Sequence, residues 1–143
     1  MADHSLQKDA DQWLSLMSRM RRFAASEPPP HDARLSPSLV AIIDFVAANP
    51  ECGVKEIARG LKLATPTVSI NIRQLEEAGF VVRKPHPRDR RAVQLSLTPQ
   101  GQALHEQTYA FRRQTFERLL AGLTPAERKN MLSLLEKALD QAQ

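Results

Sequence analysis

Between Val54 and Leu97 the chain has few folds open to it. "VKEIARGLKL" places Ile57, Ala58 and Leu61 on one face of a short helix. "ATPTVSINIRQLEEAGF" restarts at once, with Thr65 expected as N-cap, Pro66 at the first helical position and Gly79 as a C-terminal stop. Val68, Ile72 and Leu75 recur there at helical spacing, so they should face a core. "FVVRK" and "AVQLSL" then read as strands, the second setting Val93, Leu95 and Leu97 on one side and Gln94 and Ser96 on the other. Two short helices joined by "GLKLA", the second running into a hairpin, make a helix-turn-helix with a wing.

The spacing that sends Val68, Ile72 and Leu75 inward turns Pro66, Ser69, Ile70 and Arg73 outward, with Thr65 and Thr67 near the helix start. A helix N-terminus carries free N–H groups and the positive end of the dipole, which suits a phosphate. Short hydroxyl side chains and an arginine suit phosphates and base edges. The alternative is a helical hairpin that only packs a core.

The loop "KPHPRDRRA" carries Arg88, Asp89, Arg90 and Arg91 behind two prolines, which lower the entropy lost when it is ordered. Asp89 and Arg91 are spaced for a local ion pair, and an arginine so held suits the strong negative potential of a narrow minor groove. Charge placement agrees. The 143-residue chain has a net charge of +4, and Lys62–Gln94 holds seven basic residues against three acids, so the remainder is neutral. A neutral body with one basic segment fits an electrostatic footprint on nucleic acid, the alternative being a solvated surface.

Outside this segment, proline again marks the boundaries. Leu6, Trp13, Leu14, Met17 and Met20 predict an amphipathic helix from Ser5 to about Ala25, broken by "EPPPHDARL". "SPSLVAIIDFVAANP" opens with Ser36 as N-cap and Pro37 at the first position, and Asn49-Pro50 closes it. Thr98-Pro99 starts a long helix carrying Leu104, Phe111, Phe116, Leu119, Leu120 and Leu123. "TPAE", Thr124 to Glu127, is a capping box opening a last helix with Met131, Leu135, Ala138 and Leu139.

Several function classes find no support. No Ser/His/Asp set, Gly-rich phosphate loop or metal cluster suggests an enzyme, and no cofactor is implied. His4, His31, His86 and His105 are scattered without metal-ligand spacing, and His86 reads as a solvated loop residue. The single cysteine, Cys52, excludes an internal disulfide and has no cationic cluster beside it to activate it. No apolar run suits a bilayer and the N-terminus reads as neither signal nor anchor, so the expected location is cytoplasmic and nucleoid-associated, without a membrane partner.

"LSPSLVAIIDFVAANP" and "VKEIARGLKLATPTVSINIRQLEEAGFVVRKPHPRDRRAVQLSLTPQG" resemble the multiple-antibiotic-resistance regulator (MarR) family of winged-helix transcription factors, over Leu35 to Gly101. The most diagnostic piece is "DRRAVQLSLTPQG", similar to the family's D-x-R wing and L-T-x-x-G helix start. The resemblance puts Arg91 at the wing tip in the minor groove, Asp89 as its supporting carboxylate, and the recognition helix at about Thr65 to Ala78. Where many members carry an arginine in mid-helix this chain has Ile70, which permits an apolar contact such as a thymine methyl.

The resemblance further implies a mainly α fold with a small β-hairpin wing. Residues 1–34 would form a dimerisation helix and linker, 35–98 the winged helix-turn-helix, and 99–143 the C-terminal dimerisation helices. Leu6, Leu14, Met131, Leu135 and Leu139 are the expected dimer contacts, since the terminal stripes exceed what a small winged helix could cover. A small aromatic effector would bind near Trp13, Tyr109 and Phe111. The expected function is that of a homodimeric repressor on a pseudo-palindromic operator in double-stranded DNA, released by the effector. The alternative is a winged-helix protein-interaction module that does not contact DNA.

Overall fold

The computed structural model describes residues 3–28, 35–89 and 92–143. Among them are six helices and one two-stranded sheet, in the order α1 (His4–Ala24), α2 (Pro37–Ala48), α3 (Val54–Leu61), α4 (Thr65–Glu77), β1 (Val81–Pro85), β2 (Val93–Leu97), α5 (Pro99–Leu120) and α6 (Pro125–Ala142). The fold is mainly α with a β-hairpin, as the sequence leads one to expect. The chain forms two compact units, one from Pro29–Ala110 and one from Met1–Pro28 with Phe111–Gln143, so the division falls inside α5.

In the Pro29–Ala110 unit, Ser36 caps α2 by accepting the Leu39 N–H at 3.3 Å, and Pro37 occupies the first turn. The core joins Ile42, Ile43 and Val46 of α2, Ile57 of α3, Val68, Ile72 and Leu75 of α4, Val81 of β1, Leu95 of β2 and Leu104 of α5. Strands β1 and β2 are antiparallel, with Val81 opposite Leu97 and Pro85 opposite Val93. Cys52 adds a pairing absent from the sequence reading: its carbonyl accepts the Leu95 N–H at 2.8 Å, tying the α2–α3 loop to β2. Its thiol is buried, and desolvation, followed by the nearby Glu56 charge, pushes it above the usual cysteine range. A raised pKa leaves little thiolate, so Cys52 is built for packing rather than reactivity.

The L-T-x-x-G segment has a local physical reason. The Thr98 hydroxyl donates to the Gly79 carbonyl at 2.5 Å and accepts the Gly101 N–H at 3.0 Å, while the Thr98 N–H donates to the Phe80 carbonyl at 3.0 Å. One residue therefore caps α5 and fastens it to the turn after α4. A Cβ on Gly101 would stand 2.0 Å from the Phe80 carbonyl oxygen, so the approach admits only glycine.

In the unit of chain ends, the Asp3 carboxylate caps α1 by accepting the Ser5 N–H at 3.0 Å. Arg118 of α5 pairs with Glu27 at 2.5 Å and lies 5.5 Å from the Phe23 ring centroid. The capping box of α6 forms as expected: Thr124 N–H donates to Glu127 Oε1 at 2.9 Å, and Glu127 N–H donates to Thr124 Oγ1 at 3.2 Å. Neither α1 nor α6 has a buried residue. Among the described residues no helix is long and apolar enough to cross a membrane.

Candidate nucleic-acid interface

The helix-turn-helix is tighter than "GLKLA" suggests. Gly60 lies inside α3, where a Cβ would meet the Phe45 ring at 2.2 Å, so this glycine serves packing rather than the turn. The turn is made by Lys62, left-handed at φ 53°, with the Leu63 N–H donating to the Ala58 carbonyl at 3.0 Å. Helix α4 also starts one residue early. Its cap is Ala64, whose carbonyl accepts the Val68 N–H at 3.1 Å, so Thr65 is the first helical residue instead of the expected cap. Alanine has no side-chain acceptor, so the opening N–H groups lack the partner a threonine cap would have supplied.

The two faces of α4 differ sharply. Val68, Ile72 and Leu75 are 0% exposed, while Ile70 is 58% exposed. Thr65, Pro66, Thr67 and Arg73 are also exposed, and Ser69 is half-buried. An apolar side chain in water between hydroxyls and an arginine suits a groove that offers methyl groups as well as polar edges.

In the wing, Lys84, Arg88 and Asp89 are exposed. Arg90 and Arg91, and with them the expected Asp89–Arg91 pair, lie outside the described residues. Arg83 behaves differently from the basic residues around it. It sits opposite Leu95 on the sheet, and its guanidinium pairs with Glu76 of α4. Arg83 is therefore matched within the fold, whereas Lys84 and Arg88 stand exposed on the described part of the wing. His86 is not the solvated residue expected. It is half-buried, and its Nδ1 accepts the N–H groups of Arg88 and Asp89, each at 3.1 Å. No sequence signal marks this, because histidine is not a usual turn-forming acceptor.

Of the expected effector residues, Trp13 and Tyr109 are about half exposed and Phe111 is half-buried. Trp13 and Phe111 belong to the unit of chain ends and Tyr109 to the other. A shallow concavity between α1 and α5, lined by Leu16, Arg19, Met20, Arg22, Phe23 and Leu119, contains none of the three. Of the expected dimer contacts, Leu6, Leu14 and Leu139 are exposed and Met131 and Leu135 half-buried. Leu132 and Leu134, which the sequence reading passed over, are exposed. Among the described residues no cluster of three or more His, Cys, Asp or Glu could hold a metal.

The sequence model of the MarR family matches residues 35–92, from the start of the winged helix into the wing. The HTH-type transcriptional repressor Rv2887 of Mycobacterium tuberculosis is 30% identical over 121 residues, covering 81% of this chain and 87% of that one. The chain belongs to the MarR family. As a MarR-family protein it is a transcriptional regulator rather than an enzyme. BpsR of Bordetella bronchiseptica, whose DNA binding is regulated by 6-hydroxynicotinic acid, is 27% identical with a TM-score of 0.68, over 89% of this chain and 98% of that one. FabT of Streptococcus pneumoniae, solved in complex with DNA, shares the fold at a TM-score of 0.78 and 21% identity, over 96% of this chain and 99% of that one.

Proposed function

We propose that this regulator binds a pseudo-palindromic operator in double-stranded DNA as a homodimer and represses transcription until a small aromatic ligand releases it. Helix α4 lies in the major groove, where Thr65, Pro66, Thr67, Ser69, Ile70 and Arg73 meet phosphates and base edges. The wing, with Arg88, Asp89, Arg90 and Arg91, reaches the adjacent minor groove. Residues 35–98 read the DNA, and 1–34 with 99–143 join the two copies. Such a protein works in the cytoplasm at the nucleoid.

The observation that carries this reading is the solvent-facing side of α4, where Ile70 and Arg73 stand exposed opposite a fully buried stripe. The repressor name of Rv2887 supports the sign of regulation, and BpsR, whose DNA binding 6-hydroxynicotinic acid regulates, supports control by a small aromatic compound. The second copy is supported by the exposed apolar residues of α1 and α6, including Leu6, Leu14, Leu132 and Leu139. The test is to select duplexes from random DNA with the protein, then titrate Arg73→Ala and Arg91→Ala. Each should weaken the selected duplex by about 1–3 kcal/mol and leave the fold intact. A chain that selects no duplex at low salt is instead a protein-interaction module.

A further inference from the structure

The loop between β1 and β2 is organised around one imidazole. The His86 N–H donates to the Ala92 carbonyl at 3.2 Å, and the Ala92 N–H donates to the Asp89 carbonyl at 3.1 Å. Between these bonds, His86 Nδ1 accepts from Arg88 and Asp89 together. A nitrogen that accepts two N–H groups carries no hydrogen itself, so this loop needs the imidazole neutral, with its proton on Nε2. Pro87, between donor and acceptor, has no N–H of its own to compete. The pattern is that of an aspartate or asparagine turn, in which a side-chain acceptor gathers the amides two and three residues ahead.

We infer that His86 is a positioning residue for DNA binding, whose Nδ1 gathers the Arg88 and Asp89 amides and so sets the shape in which the wing's cationic turn meets the groove. The inference rests on the wing being a DNA contact. Among the described residues, the charged neighbours of His86 in sequence are Lys84 on β1 and Arg88 and Asp89 in the loop. The facing strand brings only Val93 and Gln94, opposite Pro85 and Lys84. Protonation of Nδ1 would remove the acceptor while adding a positive charge. The two consequences have opposite signs on DNA: loss of the acceptor loosens the wing, whereas the charge alone would strengthen phosphate attraction. An uncharged acceptor at position 86 therefore separates positioning from direct contact.

The test compares the full-length protein with His86→Ala and His86→Asn, using a duplex selected by the wild type. Asparagine Oδ1 lies the same number of bonds beyond Cβ as histidine Nδ1 and stays an acceptor at all working pH values. His86→Ala should lower affinity roughly fivefold to a hundredfold, the effect of losing two ordinary hydrogen bonds, with little change in melting temperature. His86→Asn should restore most of the affinity. Amide exchange at Arg88 and Asp89, measured without DNA, should be slow in the wild type and His86→Asn and fast in His86→Ala. Wild-type affinity in His86→Ala, or no rescue by asparagine, would each overturn the positioning role. If amide exchange follows this pattern but the wild type binds no duplex, the DNA-binding reading itself fails and the proposal falls with it.

Discussion

The two units of this chain bury their apolar residues very differently. The Pro29–Ala110 unit encloses thirteen apolar side chains, from Leu39 to Leu104, whereas the unit of chain ends buries no apolar side chain among the described residues. The ends are not short of apolar residues: Leu6, Trp13, Leu14, Leu16, Phe116, Leu132, Leu134 and Leu139 all stand exposed. Exposed apolar surface on this scale marks an interaction site. The winged unit therefore has a core of its own, whereas the terminal helices leave their apolar residues in solvent, as the proposed second copy would require.

The largest expected effect comes from breaking the incomplete half. Leu132 and Leu139 lie two turns apart on one face of α6 and are both exposed, which makes them better targets than the half-buried Leu135. Leu132→Asp with Leu139→Asp should convert a dimer to monomers while the winged unit stays folded. Losing the second tethered recognition helix should lower operator affinity by on the order of 10²–10⁴. An intact dimer in sedimentation would show that this face is not the interface.

The self-sufficient half should fail in a different way. Gly101→Ala places a methyl against the Phe80 carbonyl, where backbone rather than a flexible side chain must give. It should destabilise the winged unit by about 3 kcal/mol, the upper end of ordinary overpacking, and the loss should not depend on protein concentration. Thermal melts at several concentrations separate this outcome from the first, because dimer dissociation is concentration-dependent and unfolding of a lone core is not.

The smallest effect sharpens the contrast at a helix end. The Thr124 backbone N–H, and secondarily its hydroxyl, hold the Glu127 carboxyl below its ordinary value of 4.5. A carboxyl lowered by folding stabilises the folded state above its unfolded pKa, and that contribution is lost as pH falls through the lower, folded value. The start of α6 should therefore fray slightly below the ordinary glutamate range, read as lower amide-exchange protection at Thr124, without disturbing the winged core. In Glu127→Gln this acid dependence should vanish; if it persists, another group is responsible.

Most of the fold was legible because its boundaries are marked by local chemistry. Ser36-Pro37, Thr98-Pro99 and Thr124 through Glu127 each cap the helix they precede, and the Val68, Ile72, Leu75 spacing identifies the buried face of α4. What escaped were features set by a neighbour rather than by a pattern. Cys52 pairs with β2 through its backbone, which no side-chain signal reports. Gly60 makes room for Phe45, while the left-handed turn falls to Lys62, a residue type that seldom takes it. Arg83 reads as one more cation until Glu76 of α4 is placed beside it. In the candidate interface, the exposed face of α4 followed from periodicity, but the role of His86 required knowing where Nδ1 points.

Sedimentation equilibrium of residues 35–110 beside the full-length chain tests the contrast most directly. The account predicts a folded monomer for the fragment and a dimer for the full chain at the same micromolar concentrations. A fragment that dimerises, or a full-length chain that stays monomeric, would contradict it.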